Sequence, residues 1–482
     1  MAYRQAGHDS QSIDRHATLR PPRPRTCMSA DPSMRNDKPL QGDAALIRAV
    51  GSFALAAAVM NIIVGGGIFR MPSALSAQVG IAAPLALVAG ALAIIPVALC
   101  FAAIGSRALA TGGPYSYLSA TFGSLAGFLA GALMWISNVA SSAGVAAAFA
   151  VQVANLVPWF GQPLPRAGLL TALYLVLYAL NAFGVKLGAR AITTLAALKL
   201  TPLFLLAGAG LFFVDWTQVS FDPGAVPSWA ALGTGMVLVM FAYSGMETAL
   251  VPSGEVRDPS RSVPRATLVA ILLVVLLYMG LQVVSQGLLG PALAGSGVPI
   301  ADTAAALWGP GRIVLLVTAC ISMAGFLLGN LLGSSRLLFA LGRDGYLPHA
   351  YGRVSASHRV PLLALVTHAG CAWLLALGGT FDALALISGG AICLVYALVS
   401  LAAWRGQKAG LQERGGTPFV LWGGPLVPAL GVIAMTLIVT TLSGREWLAI
   451  GVALAGLVLV YVAVRVFRRA EPALYRGEDA PP

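Results

Sequence analysis

Three consecutive glycines at residues 65–67 form the first pattern in the chain that suggests chemistry. They interrupt an apolar stretch near 46–76, and each costs a helix about 1 kcal/mol relative to Ala. A similar interruption, centred on Ser244 and Gly245, falls within a second apolar stretch near 229–254. A broken helix exposes N–H groups that attract an anion and carbonyl groups that attract a cation. The two breaks together predict a site for a small zwitterion such as an amino acid.

The glycine run has an alternative interpretation. Small residues also allow helices in a membrane to pack closely, without any role in binding. That alternative predicts small residues at regular spacing, whereas here three glycines are adjacent and a second break matches them. The pattern therefore favours a binding site over a packing device.

Three charged residues lie in or beside apolar stretches of the chain: Arg70 and Glu247 near the two breaks, and Lys199 in a separate stretch. Lys199 is surrounded by leucine and alanine, and a Lys at the centre of a membrane helix costs about 2.5–3.5 kcal/mol. Its ammonium could bridge helices and exchange a proton, or it could serve as a permanent structural cation. Glu247 follows the second break, where it could accept N–H bonds or carry a proton. Arg70 follows the first break and is a candidate for an outer gate or for a side chain that snorkels to the interface.

The composition requires a membrane around these residues. Hydrophobic residues make up 58% of the 482 and charged residues 10%, against about 25% charged in soluble domains. Mean hydropathy is +0.82, and twelve apolar stretches of about 20 residues each lie between residues 46 and 467. The five cysteines show neither paired nor metal-type spacing, so no disulfide and no metal are expected. We therefore predict an all-α integral membrane protein with twelve transmembrane helices.

Positive charge orients the predicted helices. With the N-terminus in the cytoplasm, only Arg166, Arg312 and Arg445 of the 30 Lys and Arg residues fall in outer loops. Arg70 and Lys199 lie within spans, and the rest lie on the cytoplasmic side. This is the distribution expected of multi-pass membrane proteins. It predicts that both termini are cytoplasmic and that the net charge of +12 reflects orientation rather than nucleic-acid binding.

The spacing of the breaks indicates an inverted repeat. The second break lies five spans after the first, so the two broken helices enter the membrane from opposite sides. Two five-helix halves that each open with a broken helix are expected of a secondary transporter. The predicted organisation is a disordered cytoplasmic tail at 1–44, a first repeat at 45–215, a second repeat at 228–404, two further helices at 417–468 and a cytoplasmic tail at 469–482.

Four motifs resemble those of the amino acid–polyamine–organocation (APC) transporter superfamily, in the right order along the chain. Residues 65–69 are similar to its first-helix Gly-x-Gly-Ile-Phe motif, and residues 112–117 to the segment that leads into its third helix. Residues 241–247 look like its sixth helix, and residues 336–340 like the end of its eighth. The resemblance covers about residues 45 to 467. It implies the LeuT-type five-plus-five fold with helices 1 and 6 broken and two extra C-terminal helices.

The resemblance also implies roles for individual residues. The substrate carboxylate would meet N–H groups of the glycine run, and the amino group would meet carbonyls of both breaks. Many relatives carry Ser or Thr at the position of Gly66, so here only backbone is available, which leaves more room or weakens binding. The expected substrate-binding residues are Ile63, Gly65, Gly66, Gly67, Phe241, Ala242, Tyr243 and Ser244, the coupling residues are Lys199 and Glu247, and the gating residues are Arg70, Glu255 and Arg343.

The expected function is secondary active transport of neutral L-amino acids across the cytoplasmic membrane, coupled to protons or by exchange, without a cofactor. The alternatives are a polyamine or cationic amino acid exchanger, and a membrane nutrient sensor that does not transport. An enzyme is disfavoured because His368 is the one histidine in a predicted span and has no acidic neighbour in sequence. An ion channel is disfavoured because no repeated filter sequence is present.

Overall fold

The computed structural model describes residues 52–107, 113–183, 189–220, 227–249, 259–355, 360–411 and 417–470. Within these ranges the chain is helical, and no strand occurs. The α-helices are α1 Ser52–Ile63, α2 Met71–Val79, α3 Ala83–Gly105, α4 Pro114–Phe122, α5 Ser124–Leu156, α6 Pro163–Ala182, α7 Ala189–Gly210, α8 Trp229–Tyr243, α9 Met246–Ala249, α10 Pro259–Leu289, α11 Pro299–Leu307, α12 Gly311–Arg343, α13 Leu362–Gly378, α14 Phe381–Lys408, α15 Leu426–Val439 and α16 Gly444–Ala470.

Many of these helices have the length and composition of membrane spans. Eight helical stretches in the described part of the chain are long and apolar enough to cross a bilayer, and four shorter apolar helices accompany them. In a bilayer an α-helix satisfies all of its internal backbone polar groups, which is why long apolar runs fold this way. The prediction of an all-helical, multi-pass membrane protein is confirmed.

The first helix break falls at the glycine run. Helix α1 ends at Ile63, residues 64–66 are not helical, and a short 3-10 helix covers Gly67–Phe69. Helix α2 then begins at Met71 with Pro72 in its first turn, where proline needs no N–H partner. Glycine and proline together thus stop one helix and start the next.

The second break separates α8 from α9. Helix α8 ends at Tyr243, and Ser244 and Gly245 are not helical. Gly245 has φ +124°, a conformation that side chains with a Cβ rarely adopt. Helix α9 resumes at Met246. A non-glycine residue at position 245 would therefore strain the break.

Helix α5 is the central element of the fold. Most of its residues between Phe128 and Ala148 are buried, and it packs against α14, α12, α13 and α4. Helices α6 and α16 are the least buried of the long apolar helices. Helix α1 packs mainly against α10, which places the first break inside the molecule.

Two elements differ from the predicted boundaries. Residues 117–154 form one apolar stretch, which we count as the third of the twelve predicted spans, but the structure divides it at Gly123, whose φ of +91° separates α4 from α5. Residues 289–310 lie between two predicted spans, where the charge pattern predicts an outer loop, and the structure has helix α11 there, which begins at Pro299 and carries Asp302 in its first turn. Both residues favour a helix N-terminus. The predicted tail at 1–44 lies outside the described residues, as does most of the tail at 469–482.

Candidate functional site

The two helix breaks lie against each other. A Cβ added to Gly245 would lie 3.0 Å from Ile62 Cγ2 and 3.2 Å from the backbone nitrogen of Ile63. A Cβ added to Gly67 would lie 3.2 Å from Cε1 of Phe241. Glycine therefore allows the two segments to approach closely at these contacts, and the approach forms one site from two distant parts of the chain.

A small cavity separates the breaks. Its volume is about 20 Å³, which is room for roughly one water molecule. Six of the eight predicted substrate-binding residues line it, and three of its other lining residues come from α5 and α12. The lining residues are Ile62, Ile63, Gly66, Gly67, Ser141, Val145, Phe241, Ala242, Ser244 and Phe326.

Gly65 and Tyr243, the other two predicted binding residues, do not line the cavity. The N–H of Gly65 donates to Ile63 O at 2.8 Å, and its carbonyl accepts from Ser322 Oγ at 2.7 Å. The hydroxyl of Tyr243 donates to Leu87 O at 3.4 Å, and its ring stacks on Tyr278 with 5.8 Å between centroids. Both residues stabilise the surroundings of the breaks in this structure.

The first break presents hydrogen-bond donors to the cavity. Among the described residues, the N–H groups of Gly66 and Gly67 donate to no protein acceptor, and both glycines line the cavity. Buried backbone N–H groups are almost always paired. Two free donors on one wall therefore make that wall suitable for a carboxylate.

Lys199 holds the other side of the first break. Its Nζ donates to Asn61 O at 2.6 Å and to Val64 O at 2.8 Å. These carbonyls belong to the last turn of α1 and the residue after it, where helical partners are missing. The ammonium therefore lies beside the break, and the residue is buried, with 3% of its surface exposed, and does not line the cavity.

Two hydroxyl groups satisfy the remaining carbonyls of this break. Tyr278 on α10 donates to Ile63 O at 2.9 Å. Ser322 on α12 donates to Gly65 O at 2.7 Å and lies 3.2 Å from Val64 O. Ile63 O also accepts from the Gly65 N–H, so a substrate amino group would have to compete for this carbonyl.

Glu247 holds the second break together. Both of its carboxyl oxygens lie 3.0 Å from the backbone nitrogen of Gly245. The hydroxyl of Tyr396 on α14 donates to Glu247 Oε2 at 2.7 Å. Glu247 is buried, with 2% of its surface exposed, and it does not line the cavity. In this geometry the carboxyl group caps the unwound backbone and links it to α14.

The predicted gating residues have different surroundings. Arg70 lies 3.6 Å from Asp382 on α14, donates to Ser73 Oγ at 3.2 Å and also donates to the carbonyl of Ser296. It thus connects the start of α2 with α14 and with the chain before α11. Glu255 lies outside the described residues.

Arg343 lies at the end of α12. Its Nε is 2.8 Å from Asp344 Oδ1, and Asp344 also accepts a hydrogen bond from the hydroxyl of Tyr115 on α4. The carboxylate of Asp344 therefore joins α12 to α4, with Arg343 beside it. This contact could open if the two helices separate.

Several residues at the site were not predicted as its members from the sequence. Val145 and Phe326 are apolar residues in long apolar helices, so nothing in their local sequence distinguishes them. Tyr396 and Asp382 carry polar groups that could have drawn attention, but their partners Glu247 and Arg70 are far away in sequence. Ser141, a polar residue within the long apolar helix α5, also lines the cavity.

Comparison with known sequences gives the chain a family. A family profile described as "Amino acid permease" matches residues 50–464. The large neutral amino acids transporter small subunit 2 of Homo sapiens is 28% identical over 345 residues, which cover 67% of this chain and 63% of the length of that protein.

Two bacterial relatives match over a larger part of the chain. The serine/threonine exchanger SteT of Bacillus subtilis (strain 168) is 28% identical over 437 residues, covering 87% of this chain and 97% of that protein. The methylthioribose transporter of the same organism is 25% identical over 449 residues, covering 86% of this chain and 93% of that protein. Because the family profile matches most of the sequence, the chain belongs to the amino acid permease family.

Proposed function

We propose that this protein is a secondary transporter that moves neutral L-amino acids across the cytoplasmic membrane by alternating access. The observation that carries the proposal is the cavity between the two breaks, with the free N–H groups of Gly66 and Gly67 on one wall. Three relatives that match the chain are named as transporters or exchangers, two of them of amino acids.

The chemistry of the cavity supports a neutral amino acid as the substrate. A carboxylate would use the free N–H groups, which a polyamine would leave without a partner. None of the described residues that line the cavity is acidic, and Glu247 already interacts with Gly245 and Tyr396. A cationic side chain would therefore lack a counter-charge. The methylthioribose transporter among the relatives makes a direct test of substrates necessary.

The proposed architecture is the five-plus-five inverted repeat with twelve spans. The eight long and four shorter apolar helices of the described chain support this number. The two breaks fall in the first apolar helix and five spans later, as an inverted repeat requires. The positive charge of one set of loops supports cytoplasmic termini.

In this proposal Arg70 and Asp382 close the outer side of the cavity. Asp344, Tyr115 and Arg343 close the cytoplasmic side. A cavity of about 20 Å³ is too small for an amino acid, so the structure corresponds to a closed form. Phe241 and Phe326 line the cavity from α8 and α12, and movement of these rings would admit the substrate.

The mechanism of coupling is tested by uptake of labelled amino acids into proteoliposomes, with and without an inward proton gradient. In the symport mechanism the gradient drives accumulation, and Lys199→Ala abolishes this dependence because the buried ammonium of Lys199 is the proposed site of proton exchange. In the exchange mechanism uptake requires internal amino acid and ignores the gradient. Lys408→Ala is the matched control, since Lys408 lies at the end of α14 beside the ring of Trp404.

The same assay tests the proposed function as a whole. Uptake of neutral amino acids above that of empty liposomes supports it. Uptake of polyamines or cationic amino acids in their place would contradict the proposed substrate class. Binding of an amino acid without either uptake or exchange would identify a sensor and contradict transport.

A further inference from the structure

Gly66 does not leave open space beside the first break. A Cβ built on Gly66 would lie 2.4 and 2.7 Å from the two methyl carbons of Val145, closer than real Cβ contacts. Val145 belongs to α5 and is buried, with 1% of its surface exposed. Its methyl groups therefore fill the volume that a side chain at position 66 would occupy.

Phe326 on α12 has the same relation to Gly65. A Cβ at Gly65 would lie 2.4 Å from Cδ2 of the Phe326 ring. Both bulky residues also line the cavity. The glycines therefore let α5 and α12 approach the break, and they do not enlarge the space for a ligand. The expectation that Gly66 leaves more room is not met in this structure.

The walls of the cavity divide into two kinds. The helix breaks carry the backbone groups, so the charged ends of an amino acid face Gly66 and Gly67 on one side and the break after α8 on the other. The remaining walls are Ser141 and Val145, one turn apart on α5, and Phe326 on α12. These walls would contact the side chain of the substrate.

We propose that Val145 is a specificity-determining residue that restricts the substrate to amino acids with a small neutral side chain, such as alanine and serine, and that it forms a complementary pair with Gly66. The inference rests on the proposed function and deepens it. Ser141 suits the same substrates, because its hydroxyl has no protein partner among the described residues and faces the cavity. It can bond a substrate hydroxyl.

The first experiment measures the ratio of leucine to alanine uptake in proteoliposomes. Wild type is expected to favour alanine and serine over leucine and phenylalanine. Val145→Ala removes two methyl groups from the wall and is expected to raise the leucine-to-alanine ratio about tenfold or more, since one methylene in an apolar pocket is worth about 10- to 200-fold.

The matched control is Val139→Ala. Val139 is buried on the same helix, with 5% of its surface exposed, but it does not line the cavity. This variant loses similar packing and is expected to leave the ratio unchanged. A wild-type preference for leucine, or an active Val145→Ala protein with the wild-type ratio, would overturn the inference.

A second experiment tests the complementary pair. Gly66→Ala is expected to lower alanine uptake more than tenfold because its Cβ collides with Val145. Adding Val145→Gly removes the collision, including the contact at 3.0 Å with Val145 Cβ, and is expected to restore most of the uptake. A folded double variant that is as inactive as Gly66→Ala would contradict the pairing. Folding is followed by size-exclusion chromatography and thermal unfolding.

A third variant tests the same inference without removing atoms from the core. If Val145→Ala does not fold, Val145→Ile adds a methylene to the same wall and is expected to lower alanine uptake relative to glycine. An unchanged ratio would overturn the inference. If wild type takes up no amino acid, the proposed function is overturned. If wild type takes up amino acids and the variants keep its selectivity, only the role of Val145 is overturned.

Discussion

Glu247 and Tyr396 show how individual side chains make an interrupted helix possible in a membrane. An unwound backbone inside a bilayer has no water to satisfy its polar groups. The carboxyl group of Glu247 accepts from the N–H of Gly245, and Tyr396 donates to that carboxyl group from another helix. The second break therefore depends on a residue that lies 149 positions further along the chain.

We predict that Tyr396→Phe lowers the free energy of unfolding by about 1–3 kcal/mol, because a buried acceptor then loses its donor. Thermal unfolding in detergent measures the change. Glu247→Leu combined with Tyr396→Phe should cost less than the sum of the single variants, since the two groups form one network. Strictly additive effects would show that the hydrogen bond contributes nothing.

At the residue scale the sequence predicted the backbone of the site better than its walls. Each break leaves a local signal in the sequence, and the resemblance of residues 65–69 and 241–247 to family motifs then pointed to six residues that line the cavity. Val145 and Phe326 leave no such signal in the sequence, since apolar residues are expected throughout membrane helices. Asp382 and Tyr396 could be recognised only through partners that the fold brings close.

Helix ends, too, could be predicted only where the sequence carries a local signal. The breaks after α1 and α8 were predictable from glycine and proline, which act locally. The division of α4 from α5 at Gly123 was missed because a single glycine within an apolar run is usually tolerated in a helix. Which helices pack together was left open by the sequence, because apolar side chains on α5 could face several neighbours.

The contact between Arg70 and Asp382 gives a prediction about movement of α2 against α14. An ion pair at 3.6 Å with partly exposed partners contributes about 0.2–1 kcal/mol. In the proposed gate, Asp382→Asn should therefore raise the rate at which a thiol reagent modifies Ser141→Cys by about 1.4- to fivefold, in a protein whose own cysteines have been replaced.

Two controls define this measurement. Glu446→Gln neutralises an acidic residue in the first turn of α16 and should leave the modification rate unchanged. High salt should reduce the difference between Asp382→Asn and the parent protein, because salt screens partly exposed charges. Equal rates for Asp382→Asn and the parent at low salt would exclude this pair as a gate.

The last two helices are tied to the rest of the molecule by backbone contacts. The side chain of Ser106, at the end of α3, accepts a hydrogen bond from the backbone N–H of Phe419. The side chain of Gln407, at the end of α14, accepts one from the backbone N–H of Leu421. Arg107 donates to Phe419 O and to Ala103 O. The segment before α15 is thus fixed to the ends of two core helices, so α15 starts from a defined position.

The charge distribution predicts the orientation of the whole molecule. Single cysteines placed in loops with positive charge should resist a membrane-impermeant maleimide in intact cells, whereas a cysteine at Thr217 should react. Permeabilised cells provide the control, because both positions should react once the membrane is open. Labelling of Arg353→Cys but not Thr217→Cys in intact cells would mean the reverse orientation.

The carbonyl groups of the first break have a consequence for how an amino acid would be held there. Lys199, Tyr278 and Ser322 bond Asn61 O, Ile63 O, Val64 O and Gly65 O from within the protein. All four acceptors are therefore satisfied by the protein itself in the low-dielectric interior. In the proposed function, the energy with which the first break holds an amino acid would therefore come mainly from the two N–H groups of Gly66 and Gly67, which have no protein acceptor among the described residues.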